Sequence, residues 1–148
     1  EAPAHLFTTG ANPVSCEAAL ATLEMIEEEQ LLEASLEKGK YVRQTMDRWV
    51  TDYECIGDVR GKGLSIGIDV VSDPIQKTRD PEAALKICNY CFDKGVVIIA
   101  VAGNVLRFQP PLVISYEQLD YALSTLEDAI RALNRGELDQ YEIEGQGW

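Results

Sequence analysis

Apolar residues recur three and four positions apart through the first fifty residues, then every second position further on. The first pattern predicts helices and the second a strand. Asn12-Pro13 reads as a helix start. Asparagine caps free amides, and proline at the first helical position loses no hydrogen bond. From Val14 to about Glu29 the chain is rich in Ala, Leu and Glu, with Ala19, Leu23 and Ile26 on one stripe. A second helix is expected from Leu31 to about Val50, where Leu32, Ser35, Gly39, Val42, Met46 and Trp49 alternate spacings of three and four. Gly39 lowers helix propensity by about 1 kcal/mol against alanine, so a close contact is its expected reason.

Leu64, Ile66, Ile68 and Val70 then alternate with Ser65, Gly67 and Asp69, the signature of a strand with one apolar face. Cys55 to Val59 is its expected partner, joined through a turn at Arg60-Gly61-Lys62-Gly63. Ser72 to Arg79 reads as a polar loop. Asp80-Pro81 opens a third helix, with Ala84, Leu85, Cys88 and Phe92 facing inward and Gly95 ending it. Val96 to Val101 reads as a buried strand, Ala102-Gly103-Asn104 as a turn, and Val105 to Phe108 as a returning strand. Ser115 and Gln118 form a capping box before a stripe of Leu119, Leu123, Leu126, Ile130 and Leu133. The expected fold is α/β, with helices covering one side of a small, largely antiparallel sheet.

Composition narrows the function classes. The 148 residues carry a formal net charge of -12 and no basic stripe, which argues against a nucleic-acid partner. No run of 18 apolar residues and no secretory segment stands in the sequence, so neither a membrane partner nor export is expected, and the expected location is cytoplasmic. Cys16, Cys55, Cys88 and Cys91 fit a reducing compartment. Cys88 and Cys91 have half-motif spacing but lie in an apolar-periodic helix, with no second pair near the lone His5. They are read as core thiols, and no metal site is expected.

Two segments carry candidate chemistry. Arg107 stands alone in Val105-Leu106-Arg107-Phe108, and Gln109-Pro110-Pro111-Leu112 after it is uncharged. Leu106 and Phe108 share one face of the strand, so Arg107 points to the other. An arginine keeps its charge and must meet water or an anion, and its fork suits a carboxylate. Either a surface salt bridge or a ligand satisfies it; two prolines and a tight turn fixing the backbone favour a ligand. The opening His-Leu-Phe-Thr-Thr-Gly-Ala-Asn-Pro offers two hydroxyls, a glycine and a helix start, a set able to hold a phosphate. Gly61-Lys62-Gly63 has neither Walker nor dinucleotide spacing and reads as a turn. No nucleophile or metal cluster stands between the two anion-binding segments. The chain therefore reads as part of an active site, with the rest on further sequence.

Three segments resemble the C-terminal third of the class III aminotransferases, pyridoxal 5′-phosphate (PLP) enzymes of fold type I: HLFTTGANPVSCEAALATLEMIE, IGDVRGKGLSIGIDVV and GVVIIAVAGNVLRFQPPLVI. The APAHLFTT start, the GVVII run, the LRFQPPLVI segment and the GW end are most similar to the family's bacterial amino-acid 2-epimerases acting on branched residues such as isoleucine. The resemblance implies the small C-terminal α/β domain of that fold over 31–136. It also implies the end of the large domain and a linking helix over 1–30, and a polar tail over 137–148. Thr8 stands where the family has a threonine that binds the PLP phosphate, usually in the partner subunit's site. Ala11 replaces a glycine common before the helix, with Gly10 one place earlier, which makes Thr9 a second candidate. Arg107 stands where the family holds the substrate α-carboxylate. The family's cofactor-binding lysine lies in an earlier segment, and Lys38, Lys40, Lys62, Lys77, Lys86 and Lys94 match no catalytic position. No catalytic residue is therefore assigned, and the chain alone is expected to be inactive. The resemblance implies PLP as cofactor and an amino acid as substrate. It also implies an N-terminal remainder of the same polypeptide and an identical subunit, in a homodimer or homotetramer. Epimerase and aminotransferase both fit these residues, and a non-catalytic binding or structural domain is the third reading.

Overall fold

Asn12 begins the first helix as the sequence predicts, its Oδ1 accepting from the amides of Val14 at 3.0 Å and Ser15 at 3.4 Å. The computed structural model describes residue 10 and residues 12–141, in two units covering 1–34 and 35–148. In the first unit, helix α1 (Pro13–Glu28) buries none of its side chains; Leu23 of the expected stripe is exposed. Helix α2 (Leu31–Asp52) starts here after Gln30, which adopts a positive φ, and continues into the second unit.

The second unit is organised around one apolar core. Its strands are β1 (Ile56–Lys62), β2 (Ser65–Asp73), β3 (Thr78–Arg79), β4 (Ile99–Val101) and β5 (Val105–Phe108), and its further helices are α3 (Pro81–Asp93) and α4 (Tyr116–Asn134). The main sheet has the order β1-β2-β5-β4, and each of its pairs is antiparallel. Ile66, Ile68 and Val70 of β2, with Leu106 and Phe108 of β5, turn into the core. There they join Val42, Met46 and Trp49 of α2, Ile87 and Cys91 of α3, and Leu119, Leu123, Leu126 and Ile130 of α4. Each large apolar side chain so buried contributes roughly 1.5–3 kcal/mol.

The glycine in α2 has the close contact expected of it. A Cβ on Gly39 would sit 2.6 Å from the Cα of Gly63, in the turn between β1 and β2. Next to it, Ser35 Oγ accepts from the Leu64 amide at 3.3 Å. Gly63 has φ +56, a left-handed conformation that glycine takes without strain.

Four expectations are corrected. The turn predicted over residues 60–63 is tighter, because β1 runs on to Lys62 with Arg60 opposite Gly67 and Lys62 opposite Ser65. The polar loop over 72–79 contains β3, which pairs with β2; Asp73 Oδ1 ties that turn by accepting from Ile75 and Gln76. On α3 the buried set is Ala83, Ala84, Ile87 and Cys91, while Phe92 is 67% exposed. The helix is turned by about one residue from the predicted stripe; of that stripe Ala84 is buried and Leu85 and Cys88 are half-buried. The run from Val96 to Val101 is not a fully buried strand: Val97 is 77% and Ile99 45% exposed, and only Ile99–Val101 pairs. β4 is an edge strand, and helices cover one face of the sheet it borders, so alternate residues of the run look away from the core.

Candidate active site

Arg107 lies on β5, on the face opposite Leu106 and Phe108, as its spacing predicts. The register explains its setting. Arg60 is opposite Gly67, Gly67 is opposite Arg107, and Arg107 is opposite Ile99. These four form one row across four strands, on the face away from the helices. Gly67 puts no side chain into the row, and Val105 leans over it instead, its Cγ1 3.1 Å from where a Gly67 Cβ would be. Ile99, directly opposite Arg107 on β4, puts a branched apolar side chain on the other side of the row.

The two arginines differ in occupation. Arg60 Nη1 lies 2.6 Å from Asp69 Oδ2 and 3.1 Å from Asp58 Oδ2. The bond to Asp69, then that to Asp58, raises its pKa above the ordinary guanidinium value. Arg107 is exposed and, among the described residues, makes no hydrogen bond or ion pair. The surface salt bridge open to it in the sequence is therefore not formed among those residues, and its fork is left to water or a ligand.

The backbone around Arg107 is fixed on both sides. Before it, Asn104 is buried; its Nδ2 donates to the Val70 carbonyl at 2.8 Å, and its own carbonyl accepts from the Val70 amide at 2.9 Å. These bonds hold the turn in which Ala102 and Gly103 have positive φ. After it, Phe108 is buried, and Lys38 Nζ of α2 donates to the Leu112 carbonyl at 3.2 Å. Arg107 borders an open cleft of about 1220 Å³, walled by Val97, Ile99, Pro110, Val113 and Tyr121 among others. The cleft also carries Gln109, Ser115, Glu117 and Gln118; a cation beside its apolar wall suits a small carboxylate carrying an apolar group.

Thr8 and Thr9, the expected phosphate contacts, lie outside the described residues, so the structure does not bring them together with Arg107. The cysteines lie away from this chemistry. Cys91 is buried in the core, and burial pushes its thiol up to about 12, with the neighbouring Cys88 adding to the shift. Burial likewise pushes Cys88 and Cys55 up to about 11. Three lysines have structural partners: Lys38 as above, Lys77 on the Gly57 carbonyl at 2.8 Å, and Lys86 between Glu82 and Asp139. Among the described residues, no helix is long and apolar enough to cross a membrane. Sequence reasoning missed Gly67, Ile99 and the Arg60–Asp69 pair. Each sits on an alternate strand position, but only the register, which the sequence does not display, puts them in one row.

The sequence profile of the family described as aminotransferase class III matches residues 1–130. The chain belongs to the class III aminotransferases. It is 51% identical, over its whole length, to an isoleucine 2-epimerase of Lentilactobacillus buchneri, of which it covers 33%. It is 41% identical to a leucine/methionine racemase of Thermococcus litoralis, over 97% of this chain and 33% of that protein. Among solved structures it is similar to an amine transaminase from an uncultivated Pseudomonas species in its PLP-bound form, with a TM-score of 0.81 and 31% identity. That match covers 88% of this chain and 30% of the other. The chain thus spans about a third of the length of these relatives. The α/β fold with its antiparallel sheet is that of PLP aminotransferases of the family. Class III enzymes use PLP, and the fork of Arg107 beside the cleft is without a partner among the described residues.

Proposed function

We propose that the full polypeptide carrying this chain is a PLP-dependent amino-acid 2-epimerase acting on apolar, branched substrates. The observation that carries the reading is Arg107, a guanidinium on a backbone held on both sides, without an ion-pair partner among the described residues, standing beside a cleft with an apolar wall. The 51% identity to an isoleucine 2-epimerase supports the reaction type. The domain division proposed is 1–30 as the end of a large domain and linking helix, 31–136 as the small domain, and 137–148 as a tail. The N-terminal remainder would supply the cofactor-binding lysine, so this chain alone would be inactive. Partners are that remainder and an identical subunit, and the compartment is the cytoplasm.

When bound, PLP supplies an electron sink that weakens the bonds to the substrate's Cα. Thr8 and Thr9 would hold its phosphate through their hydroxyls. Arg107 would grip the α-carboxylate with two parallel N–H bonds, which fixes how Cα is presented. Ile99 on one side and Val105, leaning over Gly67, on the other would confine the direction in which the fork leans. The cleft walls would take an apolar side chain and displace water from around Cα. A proton leaving Cα and returning to the opposite face inverts the centre; orientation by Arg107 keeps the carboxylate still while that happens.

A second reading, a class III aminotransferase passing its amino group to a 2-oxo acid, is favoured by the likeness to a solved amine transaminase. The test is to incubate the full-length protein with L-isoleucine in deuterium oxide without an oxo acid. Deuterium at Cα together with inversion is the expected result. Amino transfer that requires an oxo acid, without inversion, would replace the epimerase reading by the second one.

A further inference from the structure

We propose that Arg60 is a positioning residue: by holding Asp69, it keeps that carboxylate off Arg107 and leaves Arg107 open to a ligand. The inference rests on the reading that Arg107 takes a carboxylate. Asp69 is opposite Asp58 on β1 and opposite Val105 on β5. Arg60 and Arg107 both stand opposite Gly67, two residues along β2 from Asp69. Asp69 is therefore the diagonal neighbour of both arginines. Diagonal pairs stand roughly 7–8 Å apart at the backbone, well within reach of an arginine side chain. One carboxylate thus lies within range of two guanidiniums.

The structure shows which one holds it. Arg60 Nη1 bridges Asp69 Oδ2 at 2.6 Å and Asp58 Oδ2 at 3.1 Å. Two aspartates directly opposite on neighbouring strands repel, and Arg60 between them removes the repulsion. Asp69 Oδ1 is buried and, among the described residues, accepts no hydrogen bond, so it retains capacity for a further donor. With Arg60 gone, Asp58 and Asp69 would face each other uncompensated. Arg107 would then be the arginine in diagonal register with Asp69; Gly67 has no side chain of its own, and the small Val105 side chain, with Cγ1 3.1 Å from where a Gly67 Cβ would be, is what separates them. An internal ion pair there competes with any incoming carboxylate for the same fork.

The test uses the full-length protein loaded with PLP. Arg60→Met should raise KM for L-leucine at least fivefold while kcat stays within twofold. Adding Asp69→Asn to that variant should return KM to within twofold of wild type, because the competing carboxylate is gone. A merely structural role for Arg60 would not be rescued by removing its partner. If Arg60→Met does not fold, Arg60→Gln, which keeps a donor but no charge, carries the same test. A second readout needs no substrate: the Arg107 Nε–Hε resonance, assigned by its loss in Arg107→Lys. In the Arg60 variant its exchange with water should slow at least threefold, and Asp69→Asn should restore it. An unchanged KM, a rise that Asp69→Asn does not reverse, or an unchanged resonance overturns the proposal. If Arg107 holds no carboxylate, Arg107→Lys leaves KM untouched, while in the Arg60 variant, with Arg107 intact, its resonance still responds, so the two failures are told apart.

Discussion

A guanidinium on a short strand is defined by what its neighbours leave for it. Arg107 has Ile99 on one flank and Gly67 on the other, and the nearby aspartate already serves Arg60. Its direction was legible in the sequence because strand residues alternate, and two apolar neighbours settle which face is buried. Its freedom was not, since a salt bridge and a ligand contact give the same residue in the same pattern. The threonines are a different case: Thr8 and Thr9 are assigned by resemblance alone. In the full-length enzyme, Thr8→Ala should weaken PLP retention without loss of fold. One hydrogen bond to a charged phosphate is worth roughly 1.5–3 kcal/mol, or about ten- to a hundredfold in cofactor dissociation constant. Dialysis followed by cofactor absorbance measures it; unchanged retention would shift the role to Thr9 or away from this segment.

At the scale of elements, helix ends were the most readable features. Asn12, Asp80 and Ser115 each accept from amides in the first turn that follows them. Caps are local chemistry, so one sequence window contains the whole signal. Ser115 with Gln118 forms the full reciprocal box. Ser115→Ala should therefore destabilise the fold by about 1 kcal/mol, checked by urea denaturation with an unchanged m-value. A loss near zero would mean that packing of α4, rather than its cap, fixes that end. Strand limits were less readable because pairing is not local. β1 extends through Lys62 since its partner offers register positions there, and β4 shrinks because only three of its residues find partners. The misread stripe of α3 has the same origin: Phe92 is apolar, but it follows the buried Cys91 by one residue, which turns it round the helix to face outward.

At the scale of the molecule, the chain spans about a third of its relatives, and the chemistry it carries is correspondingly partial. Its charge of -12 argues against a polyanionic partner surface. Residues 1–148 incubated with PLP and reduced with borohydride should carry no stoichiometric label on any lysine. Mass spectrometry decides this, and a single fully labelled lysine would overturn the assignment of that role to the N-terminal remainder. The full-length enzyme should sediment as a homodimer or larger, because Thr8 is read as serving a neighbouring subunit; an active monomer would remove that reading. The central claim is that Arg107 orients a substrate through its carboxylate, and Arg107→Lys in the full-length enzyme tests it most directly. Lysine keeps the charge but not the two-pronged fork. Deuterium exchange at Cα of L-isoleucine should fall at least tenfold in kcat/KM, with both turnover and apparent affinity affected and PLP retention unchanged. Wild-type kinetics in that variant would contradict the claim and leave Arg107 a surface charge.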